Sequence, residues 1–283
     1  MNRREFIYSS LAALAASGGA KPYSAAAASS KPIGLQMYTV RDLAEHDLDG
    51  VLSAVAKIGY KEVELYWNLY SRPAAELRKM LDDHGLRAPS GHIDYNGFDT
   101  KLDYARTVGF QYVVCPMLPQ EMWSSLDGYK RAAQQFNVWG EMAKKLGLRF
   151  AFHNHNYEFQ RFGDTTGFAQ IVKDTDPQLV WLELDCYWLT QAGRDPVEML
   201  KRHAGRARMI HIKDRKPGFP TSQELGPAAE HFTEVGTGTI NWKAVITTAN
   251  QIGIEHFFVE QDSMERPPLE SIAISFKNLR PML

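Results

Sequence analysis

Short apolar segments of strand length alternate along the chain with longer segments whose apolar residues recur at helical spacing. After a predicted strand at 33–40, apolar residues recur every three or four positions over 48–58, as in an amphipathic helix. Further segments repeat this order, and several predicted helices end in a glycine that would stop them before the next strand. The pattern therefore predicts a series of strand–helix units.

Eight such units can be counted. The predicted strands are 33–40, 62–66, 88–93, 112–117, 149–155, 180–187, 209–213 and 256–260. The predicted helices are 48–58, 74–84, 102–108, 129–146, 166–173, 197–203, 242–252 and 269–279. Eight units fit an α/β protein of a single domain, the (β/α)8 or TIM barrel. A doubly wound sheet usually has fewer units and a glycine-rich phosphate loop after its first strand, which this sequence lacks.

Alternation within the predicted strands indicates which side chains face the barrel interior. Glu183 and Asp185 alternate with leucines, and His211 and Lys213 alternate with isoleucines. Because residues two apart share a face of a strand, the polar side chains should point inward and the leucines and isoleucines toward the helices. These polar residues cluster at the carboxyl ends of strands, where active sites of this fold lie.

Composition narrows the class of protein. The 32 basic residues nearly balance the 33 acidic ones, so the chain has no strongly basic field for a nucleic acid. The only two cysteines, Cys115 and Cys186, exclude a disulfide framework and a cysteine-rich zinc site. Cys186 has the opposite strand parity to Asp185, so we expect it to pack among apolar residues.

The amino terminus has the features of an export signal. Arg3 and Arg4 precede a weakly apolar stretch over 7–20, and small residues follow over 24–30. This order predicts a twin-arginine signal with its linker in residues 1–30, a periplasmic location, and a barrel in residues 31–283. An amphipathic or disordered tail is the alternative. No other apolar run is long enough to cross a membrane, so we expect no membrane span in the mature protein.

Four residues at or just after consecutive predicted strands suggest a metal site: Glu158, Asp185, His211 and Glu260. Each one alone could be a rim residue in an ion pair. Together, three carboxylates and an imidazole on one rim suit a single divalent cation, Mn²⁺, Mg²⁺, Co²⁺ or Zn²⁺. We therefore predict one metal ion bound by these four side chains.

Several segments resemble the sugar phosphate isomerase/epimerase family of the xylose isomerase-like TIM barrel superfamily. They are IGLQMYTVRD at 33–42, GYKEVE at 59–64, HNHNYEF at 153–159, LD at 184–185, IHIKD at 210–214, VGTGTINW at 235–242 and VEQD at 259–262. The resemblance covers about residues 32–280. It implies a small sugar or sugar-like polyol as substrate and places the family's metal ligands on the four residues named above.

The resemblance also implies a mechanism. In the family's ketose 3-epimerases one glutamate removes a proton beside a carbonyl that the metal holds, giving an enediolate, and a second returns it on the opposite face. These roles would fall on Glu158 and Glu260, with Lys213 assisting. From first principles, a cation on the carbonyl oxygen stabilises the enolate charge, and a nearby carboxylate serves as the base. The primary hypothesis is an isomerase or epimerase.

The chain departs from those epimerases at two positions. Trp188 stands where they have a histidine and Pro217 where they have an arginine, while the HNHNYEF segment resembles a branch that includes inosose dehydratase-like proteins. The alternative is therefore a lyase that uses the same enolate on a keto-sugar or inosose. A non-catalytic sugar-binding protein is a third class. The near-neutral charge and Trp188 argue against a relative of the DNA-repair enzyme endonuclease IV.

Five further residues are candidates for substrate binding: His153, His155, His92, Glu64 and Trp188. The two histidines of the 153/155 pair share a strand face and could bind hydroxyls or act as an acid. Each could equally be a packed, hydrogen-bonded core residue. Trp188 could stack on a sugar or pack under a loop.

Overall fold

Eight parallel strands close into a barrel in the part of the chain that the computed structural model describes, residues 31–283. The barrel strands are β1 (Gly34–Gln36), β2 (Glu62–Leu65), β3 (Arg87–His92), β4 (Tyr112–Cys115), β5 (Arg149–His153), β6 (Val180–Asp185), β7 (Ala207–Ile212) and β8 (His256–Val259). Each strand pairs with its neighbours in the chain, and β1 closes the barrel against β8. The predicted TIM barrel is confirmed.

Eleven α-helices surround the barrel within the described residues. They are α1 (Arg41–His46), α2 (Leu48–Ile58), α3 (Ala74–Asp83), α4 (Leu102–Val108), α5 (Gln120–Trp123), α6 (Leu126–Lys145), α7 (Gly167–Asp174), α8 (Cys186–Gln191), α9 (Pro196–Arg202), α10 (Trp242–Ile252) and α11 (Pro268–Leu279). All eight predicted helices are present. The short helices α1, α5 and α8 were not predicted, because each is too short to show a helical period.

Several predicted strands are shorter in the structure than in the sequence pattern, β1 and β5 among them. β1 ends at Gln36, whose side-chain oxygen accepts a hydrogen bond from the backbone N–H of Tyr38 and so starts a 3₁₀ helix, Met37–Val40. β5 ends at His153, two residues before the predicted end. In both places a polar side chain at the strand end marks the change from strand to loop.

The core has two parts that follow from strand alternation. Leu182, Leu184, Ile210 and Ile212 face outward and are buried against the helices, as predicted, and Cys186 packs in the same layer. The lower interior of the barrel is filled by a separate apolar cluster: Tyr112, Val114, Ala151, Met209 and Phe258. Because this cluster fills the amino-terminal half of the barrel, the buried polar side chains occupy the half at the carboxyl ends of the strands.

The loop after β7 is fixed by one buried carboxylate. Asp214 accepts hydrogen bonds from the backbone N–H groups of Gly236 (2.9 Å), Gly238 (3.0 Å) and Ile240 (3.2 Å). A Cβ atom at Gly238 would lie 2.3 Å from Asp214 Oδ1, so a larger residue does not fit there. The VGTGTINW segment is therefore a structural anchor for the loop that leads to α10.

The export prediction concerns residues 1–30, which lie outside the described part of the chain. Among residues 31–283, no helix has both the length and the apolar character that a membrane crossing requires.

Candidate metal centre

Two groups of buried ligand-type side chains lie at the carboxyl ends of the strands and share one histidine. The outer group consists of His153, Asp185, His211 and Glu260. The inner group consists of Glu64, His92, Glu183 and His211. Within each group one ligand atom from every residue lies within 4.8 Å of the others, and all seven side chains are buried. The two ring nitrogens of His211 face different groups.

The outer group has the chemistry of a divalent metal site. His211 Nδ1 lies 2.7 Å from Glu260 Oε2, and His153 Nε2 lies 3.4 Å from Asp185 Oδ2. Neither ring nitrogen of His153 has a hydrogen-bond partner among the described residues, and Asp185 Oδ2 is paired with Lys213 Nζ at 3.0 Å. Because buried polar atoms are normally paired, the ring nitrogens of His153 need a further partner. A cation that binds imidazole nitrogen and carboxylate oxygen fits them.

The inner group is held by hydrogen bonds around Glu64. Its Oε2 atom lies 2.6 Å from His211 Nε2 and accepts from Gln36 Nε2 at 2.8 Å, while Oε1 accepts from Ser90 Oγ at 2.5 Å. His92 Nε2 lies 2.9 Å from Glu183 Oε2. Burial acts to lower the pKa of His92, but the two carboxylates outweigh it and raise that pKa to about 9. The inner group therefore holds the His211 ring through its Nε2 atom.

Glu158, a predicted ligand and proton-transfer residue, is in neither group. β5 ends at His153, and Glu158 lies five residues later in a 3₁₀ helix, Tyr157–Phe159, where Oε2 accepts from the backbone N–H of His155 at 2.9 Å. Burial raises the pKa of Glu158 to about 8, and its Oε1 atom has no hydrogen-bond partner among the described residues. The structure thus brings together Asp185, His211 and Glu260 of the predicted set. His153 takes the fourth place.

Strand alternation could have identified His153 as a member of the outer group. Ala151 belongs to the cluster inside the barrel, and His153 is two residues further along the same strand face. Glu158 falls beyond the strand, where the period of two no longer applies. Which side chain of this segment belongs to the outer group therefore depends on where the strand ends.

Lys213, the third predicted catalytic residue, lies against the outer group. Its Nζ atom is 2.6 Å from Glu260 Oε2, 3.0 Å from Asp185 Oδ2 and 3.1 Å from Asp262 Oδ1. Burial acts to lower the pKa of Lys213, but the three carboxylates raise it well above its usual value, so the amine is charged. The same lysine acts to lower the pKa of Asp262, which burial nevertheless raises to about 7.

Asp262 is a site residue that the sequence prediction missed. It follows Glu260 by two positions and ends the VEQD segment at 259–262, and both were available signals in the sequence.

A pocket of about 450 Å³ opens above the outer group. Among the predicted substrate-binding residues, His92, His153, His155 and Trp188 line it. The rings of His155 and Trp188 are 5.3 Å apart. Burial, together with the nearby positive charge of Lys213, holds the pKa of His155 well below its usual value. Glu64 does not line this pocket and lies beneath His211 instead.

Comparisons with known proteins agree with this fold. The chain belongs to the xylose isomerase-like TIM barrel family, whose model matches residues 52–282. It is 24% identical over 274 residues to an inosose dehydratase of Clostridium botulinum, with 84% of this chain and 91% of that protein covered.

Solved structures are similar as well. A sugar phosphate isomerase/epimerase of Parabacteroides distasonis has a TM-score of 0.77 at 27% identity, covering 90% of this chain and 96% of that one. An IolI protein with a bound zinc atom has a TM-score of 0.70 at 18% identity, covering 89% and 97%, which shows the shared fold.

Proposed function

We propose that the protein is a metal-dependent enzyme that acts on a sugar or sugar-like polyol by removing a proton from the carbon beside a carbonyl group. One observation carries the proposal: the buried outer group includes His153, whose ring nitrogens are unpartnered, and lies below a pocket that admits a small molecule. The inosose dehydratase and sugar phosphate isomerase/epimerase relatives support this substrate class.

The donor set narrows the choice of cation. Two imidazoles and two carboxylates suit Mn²⁺, Co²⁺ or Zn²⁺ better than Mg²⁺, which prefers oxygen ligands. The zinc of the related IolI protein is consistent with such a site. When bound, the cation supplies a Lewis acid that stabilises negative charge on the carbonyl oxygen of the substrate.

Three side chains of the pocket are candidates for the base, the oxyanion donor and the acid of the reaction. Glu260 is the candidate base, because Lys213 and His211 counteract its burial and hold its pKa well below the usual value, which keeps it ionised. Lys213, charged and buried, is placed to donate a hydrogen bond to a developing oxyanion. Asp262, with a pKa near 7, is suited to give a proton to a leaving oxygen.

The composition of the outer group favours elimination over epimerisation. Epimerisation by two glutamates needs a second glutamate beside Glu260, but Glu260 is the one glutamate of the outer group, which does not include Glu158. In elimination, Glu260 takes the proton, the carbon–oxygen bond at the β position breaks, and Asp262 protonates the departing oxygen. The product gains a carbon–carbon double bond next to the carbonyl.

An isomerase or epimerase remains the second candidate. The sugar phosphate isomerase/epimerase neighbour supports it. In that reaction the proton would return to a carbon of the substrate and no group would leave.

The test is a screen of inososes and keto-sugars in D2O, with protein loaded in turn with Mn²⁺, Co²⁺ and Zn²⁺ and products followed by NMR. We expect loss of water or alcohol from one substrate and a slower rate when its α-carbon carries deuterium. Glu260→Gln should abolish reaction and exchange together. Asp262→Asn should slow elimination while α-exchange continues.

Three results would count against the proposal. A changed configuration without loss of a group would identify an isomerase. Equal slowing of exchange and elimination in Asp262→Asn would remove Asp262 as the acid. Proton abstraction would be excluded if every reactive substrate showed no exchange with solvent deuterium, no loss of the α-carbon label and no isotope effect.

A further inference from the structure

The pocket is larger than one sugar ring requires. A six-carbon sugar has about twelve heavy atoms, and even at the ~30 Å³ that a water molecule occupies in the liquid these would fill only roughly 360 Å³. Covalently bonded atoms are closer together than water molecules, so a real ring is smaller than this upper limit. The pocket of about 450 Å³ therefore has space beyond the ring that reacts at the outer group.

The lining of the pocket is charged at its floor, and its mouth combines apolar side chains with two exposed carboxylates, Asp94 and Glu230. His153 (2%), Lys213 (2%) and Glu260 (5%) are almost fully buried at the floor. At the mouth, Met117 and Leu225 are 42% and 37% exposed. Large apolar side chains in solvent at the mouth of a polar site suggest contact with an apolar part of a ligand.

Two aromatic rings form one wall of the pocket mouth. Tyr38 and Trp67 are both half-buried and line the pocket, with ring centroids 5.6 Å apart and planes tilted by 39°. Tyr66 packs edge-on against both of them, at 5.7 Å and 5.8 Å. Because Tyr66 is fully buried, it provides the packing, while Tyr38 and Trp67 keep surface toward the pocket.

An arginine holds this wall in place. The Arg41 guanidinium lies 4.1 Å from the centroid of the Tyr38 ring and donates hydrogen bonds to the backbone carbonyls of Tyr38 (2.9 Å) and Asp262 (3.0 Å). The wall is thus connected to the segment that carries Asp262. A preformed aromatic surface binds a flat apolar face with little loss of side-chain entropy.

We propose that the mouth of the pocket is a subsite for a second ring, so that the substrate is a two-ring glycoside. One ring reacts at the outer group, and a second sugar or an aromatic aglycone stacks on Tyr38 and Trp67. This inference rests on the proposed function. It narrows the substrate class from free sugars and inososes to conjugates whose reacting ring carries a ring substituent.

The test compares one-ring and two-ring probes by calorimetry on the metal-loaded protein. The probes are methyl and phenyl β-D-glucopyranoside, the matching galactosides, and cellobiose. A second ring adds at least five heavy atoms, which at ~0.3 kcal/mol per atom corresponds to about tenfold tighter binding. We expect this gain in the wild type, its loss in Trp67→Ala and Tyr38→Leu, and partial retention in Trp67→Phe.

Trp181→Ala is the matched control. Trp181 is another half-buried tryptophan, at the start of β6, where the Arg208 guanidinium covers its ring at 4.3 Å, and it is not among the pocket residues. This variant should keep the tenfold gain, and thermal unfolding should show that all variants are folded.

Equal affinity for one-ring and two-ring probes in the wild type would overturn the subsite and leave the proposed function intact. Loss of the tenfold affinity gain in Trp181→Ala, as in the Trp67 and Tyr38 variants, would also overturn the subsite. Binding of neither probe class by the metal-loaded protein would overturn the subsite, while the proposed function, whose substrates carry a carbonyl that these probes lack, is decided by the screen in D2O.

Discussion

Glu64 Oε2 lies 2.6 Å from His211 Nε2, on the side of the imidazole away from the outer group. The carboxylate accepts the Nε2 proton and leaves Nδ1 directed at Glu260 and Asp185. Hydrogen bonds of this kind fix the tautomer and orientation of metal-binding histidines. Glu64 was predicted to bind substrate; in the structure it does not line the pocket, and we infer from its contact with His211 that it positions this imidazole.

We predict that Glu64→Gln weakens metal binding about 10- to 100-fold, because the amide binds the Nε2 proton less strongly and no longer fixes the ring. Calorimetric titration of apoprotein with Zn²⁺ or Mn²⁺ measures this change. Glu62→Gln is the matched control, since Glu62 lies two residues earlier on β2 and contacts Arg87 and His256 instead. Unchanged affinity in Glu64→Gln would remove the positioning role.

A second prediction separates His153 from Glu158 as the fourth metal ligand. We expect His153→Ala to lower metal affinity at least tenfold, because it removes one of four donors, and Glu158→Gln to leave affinity nearly unchanged. Elemental analysis and titration of both variants decide between the residues. Thermal unfolding of the apoproteins controls for folding. The reverse result would restore the ligand set predicted from the sequence.

A third prediction concerns stability and pH. The pKa of Glu158 rises from its usual 4.5 to about 8 on folding, mainly through burial. A raised carboxyl pKa contributes stability that is fully present below pH 4.5 and is lost as the pH rises through 8. Relative to Glu158→Gln, the wild type should lose about 1.4 kcal/mol of unfolding free energy per pH unit across this window.

Urea unfolding of the metal-free proteins between pH 5 and 9 measures this difference, with exposed Glu121→Gln as the control. Parallel pH profiles for the wild type and Glu158→Gln would show that Glu158 stays ionised in the fold.

A fourth prediction concerns export. Arg3 and Arg4 precede a weakly apolar stretch, so Arg3→Lys with Arg4→Lys should leave the precursor in the cytoplasm. The wild type should appear shortened in the periplasmic fraction, as cell fractionation and mass determination of the amino terminus would show. Uncleaved wild-type protein confined to the cytoplasm would contradict the signal.

Much of the barrel could be predicted from the sequence, because strand alternation and helical periodicity are local patterns. Strand alternation placed Glu183, Asp185 and His211 on the inner face, and the helical period located α2, α4 and α10. These features depend on residues a few positions apart, and every strand of a parallel barrel repeats the same rule.

The site could be predicted only in part, because its atoms come from distant segments. The sequence alone determined the strand–helix order, the inward face of each strand and the ligand types available. Tertiary structure decided that β5 stops at His153, that Glu158 is buried in the 3₁₀ helix beyond it, and that Glu64 contacts His211. The end of a strand and the contacts of its side chains across the barrel depend on packing between strands that are far apart in the chain. A local sequence pattern does not include this packing.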